Sequence, residues 1–161
     1  MHRGVALLAY LFLSLSAGVL GKKPKIEETK FPQLPTNLFY FDDSDVVLVT
    51  DPSARTAYRS ADAGVKWQKL DGVDEGKVLE VLRHPYNNKV AVVIGLDNKH
   101  WITRDQGEKW TSWKCDGAPT LARPAISFHA TDPNRMLYMT AECAGLQCNE
   151  RVWYKIGRAH V

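Results

Sequence analysis

Beyond residue 37 the chain is a succession of short apolar or alternating runs, four to seven residues long, each cut off by Asp, Asn, Pro or Gly. Runs this short, rich in Val, Ile, Tyr, Phe and Trp, predict strands rather than helices. They fall at 38–41, 46–50, 57–60 and 67–70, then at 78–83, 89–95, 100–103 and 110–114, and finally at 125–128, 136–141 and 151–154. The stretch Val90-Ala91-Val92-Val93-Ile94 has no polar member, the pattern of a strand covered on both faces. Turn clusters separate the runs: residues 42–45, Asp51-Pro52-Ser53, His84-Pro85-Tyr86-Asn87-Asn88, Leu96-Asp97-Asn98 and residues 129–134. No heptad, no long amphipathic helix and no low-complexity tract interrupts this plan.

Two of the turns share one pattern, S/T-x-D-x-G-x-x-W. It occurs as Ser60-Ala61-Asp62-Ala63-Gly64-Val65-Lys66-Trp67 and as Thr103-Arg104-Asp105-Gln106-Gly107-Glu108-Lys109-Trp110, with the aspartates 43 residues apart. A bend between strands leaves backbone N–H groups without ladder partners, and a carboxylate at the third position can accept several of them. The hydroxyl two residues earlier can bond the same loop. Glycine supplies a left-handed conformation that a Cβ resists. The tryptophan is expected to begin the next strand and cover the turn. Folding alone accounts for Ser60, Asp62, Gly64, Trp67, Thr103, Asp105, Gly107 and Trp110, and an aspartate tied up by amides is a poor acid or base. The pattern resembles the Asp-box, or BNR repeat, of sialidase-type and sortilin-type propellers.

Four-stranded units of about 45 residues with structured turns are the signature of propeller blades. The predicted fold is all-β, with blades at about 38–70 and 78–114 and part of a third at 125–154, an arc of a larger ring. His84 and His129 stand 45 residues apart at matching places, which marks them as turn residues rather than a catalytic pair. At the far end the repeat fails. If Trp153 matches Trp101, Lys155 and Gly157 occupy the places of an Asp-box hydroxyl and aspartate. Residues 155–161 read like a translated sequencing-adapter oligonucleotide and are expected to be a non-native tail.

The first residues change the compartment. Arg3 precedes an apolar run of 16 residues from Val5 to Leu20, shorter than the roughly 20 needed to cross a bilayer. Residues 1–21 are therefore expected to be a cleaved signal peptide, with Ala17 as the alternative cleavage site. Residues 22–30, polar and charged, form a flexible leader.

The formal charge of +3 comes from 21 basic and 18 acidic residues. Arg3, Lys155 and Arg158 lie in the two terminal segments, so residues 22–154 balance and no basic face calls for nucleic acid. Cysteines persist as disulfides in an exported chain. Cys143 and Cys148, four residues between them, are the candidate pair, leaving Cys115 in need of a partner outside the chain. A zinc site is the alternative, weak without a nearby histidine. No N-x-S/T sequon occurs, and no cofactor or metal is expected.

Together, the two Asp-boxes, the lead-in Leu34-Pro35-Thr36-Asn37-Leu38-Phe39-Tyr40-Phe41 and the loop Glu142-Cys143-Ala144-Gly145-Leu146-Gln147-Cys148 resemble the N-terminal end of the fungal vacuolar protein-sorting/targeting receptors of the sortilin family. The likeness covers residues 1–154. It implies a type I membrane protein with a ten-bladed luminal propeller, a cysteine-rich module, one transmembrane helix absent from this chain and a cytosolic tail. It also implies capture of soluble vacuolar hydrolase precursors, such as carboxypeptidase Y, in the late Golgi or trans-Golgi network. Release in endosomes and recycling would follow. It places no cargo contact on any residue here and implies no enzyme.

The alternative is a secreted Asp-box glycoside hydrolase, sialidase- or glucanase-like. That chemistry needs paired carboxylates about 5–10 Å apart and, in a sialidase, an arginine cluster. Asp42, Asp43 and Asp45 form an acidic cluster but read as a solvated turn. Arg123 follows two Asp-boxes instead of preceding them. A third reading is a secreted scaffold without cargo. Histidine is the side chain whose ordinary range lies near neutral pH, yet nothing in the sequence places His84, His100 or His129 at a ligand.

Overall fold

A computed structural model describes residues 28–120, 124–145 and 147–155. The signal peptide and most of the leader, Arg123, and residues 156–161 of the tail lie outside them. Among the described residues the chain forms strands and no helix. The first sheet is β1 (Thr36–Tyr40), β2 (Val47–Asp51), β3 (Thr56–Ser60) and β4 (Gln68–Lys69). The second is β5 (Val78–Arg83), β6 (Ala91–Gly95), β7 (Lys99–Thr103) and β8 (Thr111–Lys114). The third is β9 (Ile126–Phe128), β10 (Met136–Ala144) and β11 (Gln147–Lys155). Each sheet is an antiparallel meander with its strands hydrogen-bonded in chain order. These are propeller blades, two of four strands and one of three.

Register makes the repeat explicit. Tyr40 faces Val47, Arg83 faces Ala91 and Phe128 faces Met136. One residue further on, Phe41, His84 and His129 each donate a backbone N–H across the first hairpin, to Val46 (3.0 Å), Val90 (3.0 Å) and Arg135 (3.1 Å). The same alignment sets Trp153 opposite Tyr138, as Trp101 stands opposite Val93, so Lys155 takes the place of Thr103.

The sheets stack face to face. Leu48, Phe41 and Ala57 of the first pack with Val81, Ala91, Val93 and Trp101 of the second. Val92, Ile94 and Ile102 on the opposite face pack with Ile126, Met136 and Tyr138 of the third. Period-2 alternation sends neighbouring residues of β6 to different neighbours, which is why the whole strand is buried. Polar ties cross the first seam: Arg59 Nε donates to the Gln106 carbonyl (2.8 Å), and the Arg83 guanidinium meets Asp42 (2.6 Å). On the third sheet Leu137 holds the place of Leu48 and Val92, yet it is 37% exposed where they are fully buried. Val152 and Tyr154 lie on that same exposed face.

Three details depart from the sequence expectations. Trp67 and Trp110 precede β4 and β8 instead of opening them. Thr29, expected to belong to a free leader, donates its hydroxyl to the Gly64 carbonyl (3.4 Å), and Phe31 packs edge-on against Tyr58 and Trp67. The cysteine segment is not a loop after a six-residue strand: β10 and β11 run nine residues each and set Cys143 directly opposite Cys148. That hairpin outruns β9, which meets only Met136, Leu137 and Tyr138. Its continuation is held by the Pro119–Thr140 bridge and by the Ala141 N–H on the Ala118 carbonyl (3.0 Å).

Candidate functional site

Both Asp-box turns are wired alike. In the first, Asp62 Oδ1 accepts the Ser60 hydroxyl (2.8 Å) and the Lys66 N–H (2.8 Å). The Ser60 oxygen accepts in turn from the N–H groups of Asp62 (3.2 Å) and Gly64 (2.8 Å). The Trp67 indole N–H then donates to the Gly64 carbonyl (2.9 Å). In the second, Asp105 Oδ1 accepts from the Thr103 hydroxyl (2.8 Å) and the Lys109 N–H (2.9 Å), and Thr103 accepts from Gly107 (2.9 Å). Trp110 closes this turn onto the Gly107 carbonyl (3.2 Å). Gly64 and Gly107 have φ of 95° and 82°, the left-handed region that favours glycine.

Each glycine follows a second left-handed residue, Ala63 (φ 56°) and Gln106 (φ 59°), which carry no sequence signal for that conformation. What holds them is the first hairpin of the same sheet: the Ala63 N–H donates to the Asp45 carbonyl (2.8 Å) and the Gln106 N–H to the Lys89 carbonyl (3.0 Å). The turn therefore locks two loops of its blade together. In the second blade it also takes the guanidinium of Arg59 from the first.

This wiring fixes the electrostatics. The Lys66 N–H, and then the Ser60 hydroxyl, hold the Asp62 carboxyl below its ordinary value. Asp51 is lowered by the Ser53 hydroxyl and the Ala54 N–H in the β2–β3 turn, and Asp132 by the Asn134 N–H. Aspartates stabilised as anions by turn donors make weak proton donors. In the 42–45 cluster, Asp42 pairs with Arg83 and Asp45 offers its carbonyl to Ala63. The acidic turn thus joins two loops and a neighbouring blade.

The Asp62 wiring has an acid signature. A carboxyl lowered on folding contributes stability at neutral pH, and that contribution is lost as pH falls below about 4 through its folded value. Amide exchange at Lys66 is expected to accelerate in that window. In Asp62→Asn, which keeps an acceptor oxygen and cannot titrate, the acid step at this turn disappears.

The histidines are turn and core groups. His84 Nδ1 accepts the Tyr86 N–H (3.1 Å), and His129 Nδ1 accepts those of Thr131 (3.3 Å) and Asp132 (3.1 Å). His100, fully buried, accepts the Gly95 N–H (3.2 Å) and packs among Trp113 and Tyr138. Burial, and then the neighbouring Cys115, push the Tyr138 phenol up to about 12. Cys143 and Cys148 form a disulfide across the long hairpin. Cys115 is a free, half-buried thiol whose pKa is raised by burial and by Asp116.

The described residues thus bring the Asp-box groups into two equivalent structural turns. The profile of the Sortilin-Vps10 family, described as "Sortilin, neurotensin receptor 3", matches residues 55–157. The chain is 38% identical over 156 residues to the vacuolar protein sorting/targeting protein 10 of Blastomyces gilchristii, covering 94% of this chain and 10% of that protein. The protein of the same name from Verticillium alfalfae is 41% identical over 134 residues, 81% of this chain and 9% of the relative. That from Fusarium vanettenii is 36% identical over 135 residues, 83% and 9% respectively. The chain therefore spans about a tenth of the length of these relatives. Matched repeat, wiring and sequence agree: the chain belongs to the sortilin/Vps10 family.

Proposed function

We propose that the chain is the opening arc of a luminal, cargo-binding propeller in a sorting receptor, and that it performs no chemistry on its cargo. The observation that carries this reading is the family match to proteins named for vacuolar sorting and targeting. The engagement of Asp62 and Asp105 by their own turns supports it, because these aspartates are spent on architecture. A stack of rigid blades presents loops and inner strands against which an extended segment can lie. The cargo is a soluble vacuolar hydrolase precursor such as carboxypeptidase Y, taken from the late Golgi to the vacuole through endosomes. The parent protein is type I, held by a transmembrane helix beyond this chain.

In this reading residues 1–21 are removed on export. Blades at 38–70, 78–114 and 125–154 belong to a ten-bladed ring, and Cys143–Cys148 closes in an oxidising lumen. The partly exposed Leu137, Val152 and Tyr154 are the contact face for the next blade, so this arc alone does not form a stable monomer.

The test is capture by the full-length luminal domain. Immobilised protein is expected to retain precursor carboxypeptidase Y from solution and to leave a fluorogenic sialoside and xyloglucan intact. Hydrolysis of either glycoside without capture of the precursor would reverse the assignment.

A further inference from the structure

The turn after β5 is a junction of all three sheets. Asn88 Nδ2 donates to the Asp42 carbonyl of the first sheet (3.2 Å). The carbonyls of Lys89 and Asn88 accept from the backbone (3.0 Å) and side-chain (3.3 Å) nitrogens of Gln106 in the second Asp-box. The turn opens on His84, whose ring lies 4.6 Å from that of Phe128 in β9. His84 is 2% exposed.

The hydrogen bonds fix the state of this ring. Nδ1 accepts the Tyr86 N–H, so it carries no proton, and the single ring hydrogen sits on Nε2. Nε2 is buried and meets no hydrogen-bond partner among the described residues. An imidazolium here would have to surrender the Nδ1 acceptor bond and leave two donors in an apolar seam. His129 does the same job in the next blade but is exposed, so water can replace what its ring gives up.

We propose that His84 is an acid-sensitive brace: a solvent proton taken up on the Nδ1 lone pair breaks the bond to the Tyr86 N–H, places a cation between β5 and β9, and frees residues 84–90 from the three sheets they join. The titratable and charged groups on the surrounding elements offer no compensation. Tyr86 stacks edge-on in the same turn. Arg83 is committed to Asp42 and to the Tyr40 carbonyl. On the third sheet Arg135 is paired with Asp132 (3.1 Å), and His129 accepts from its own turn. Burial pushes the His84 pKa down. The opened turn therefore takes the proton more readily than the closed one. The brace is complete above the ordinary histidine value of about 6.5 and weakens as pH falls through it.

The experiment is amide exchange on the full-length luminal domain at pH 7.5 and 5.0, corrected for the intrinsic rate, with the His84 ring followed by NMR. Exchange at Tyr86 and through residues 84–90 is expected to rise about tenfold on acidification. It should stay flat in His84→Phe, the residue that the first sheet carries at this place as Phe41. His129→Gln should respond as wild type. If residues 84–90 keep their protection at pH 5.0, or if His84→Phe retains the full acid response, the proposal is overturned.

Discussion

Gly95→Ala is expected to destabilise the second blade by about 3 kcal/mol or more, the upper end of the cost of overpacking a rigid site. A Cβ at residue 95 runs into the Lys99 carbonyl and into the indole ring of Trp101. Neither can retreat. Lys99 sits in the tight β6–β7 hairpin, tied by its N–H to the Leu96 carbonyl (3.2 Å), and Trp101 is 1% exposed. Gly95 also donates its N–H to the buried His100 ring, so a backbone shift breaks that bond as well. Expression level and thermal unfolding of the full-length protein carrying Gly95→Ala check this. Wild-type expression with an unchanged melting temperature contradicts it.

Trp101→Ala is expected to cost about 3–5 kcal/mol, the range for deleting a large buried aromatic. Its ring fills the core between the first two sheets, in the space that Gly95 leaves free, with the Lys99 ammonium 5.2 Å from the ring centre. Trp101→Phe should cost much less. The indole nitrogen is buried without a hydrogen-bond partner among the described residues, so phenylalanine gives up volume but no bond. The two sites touch, so their effects should not add: Gly95→Ala should cost less in the Trp101→Ala background than in wild type. Denaturant unfolding of the two single variants and the double variant measures the coupling. Strict additivity would mean that the indole is not what confines residue 95.

Much of this architecture is legible in the residues. Alternation and turn clusters locate the strands because a blade strand is short and its neighbours dictate a period of two. β5 spans Val78–Arg83, the bounds the pattern predicts. The all-apolar stretch in β6 likewise announces a strand covered twice. The Asp-box states its own chemistry, since hydroxyl, carboxylate and glycine are each demanded by a local bend.

What stayed hidden depends on contacts distant in sequence. Ala63 and Gln106 are left-handed because Asp45 and Lys89 hold them, and neither residue type advertises that geometry. The long hairpin is not legible because Glu142, Cys143, Asn149 and Glu150 lack apolar alternation; their pairing comes from cross-strand register. The repeat marks the histidine of the β5–β6 turn as a turn residue. Its burial is not legible, because Phe128, 44 residues later, supplies the cover.

An experimental density map of the full-length protein at side-chain resolution tests the repeat most directly. The account requires Trp67 and Trp110 at equivalent places in adjacent four-stranded sheets, each indole N–H on the carbonyl of its own Asp-box glycine, with β6 sandwiched between neighbouring blades. Either tryptophan lying in a helix, or the two falling at non-equivalent positions of unlike sheets, would contradict it.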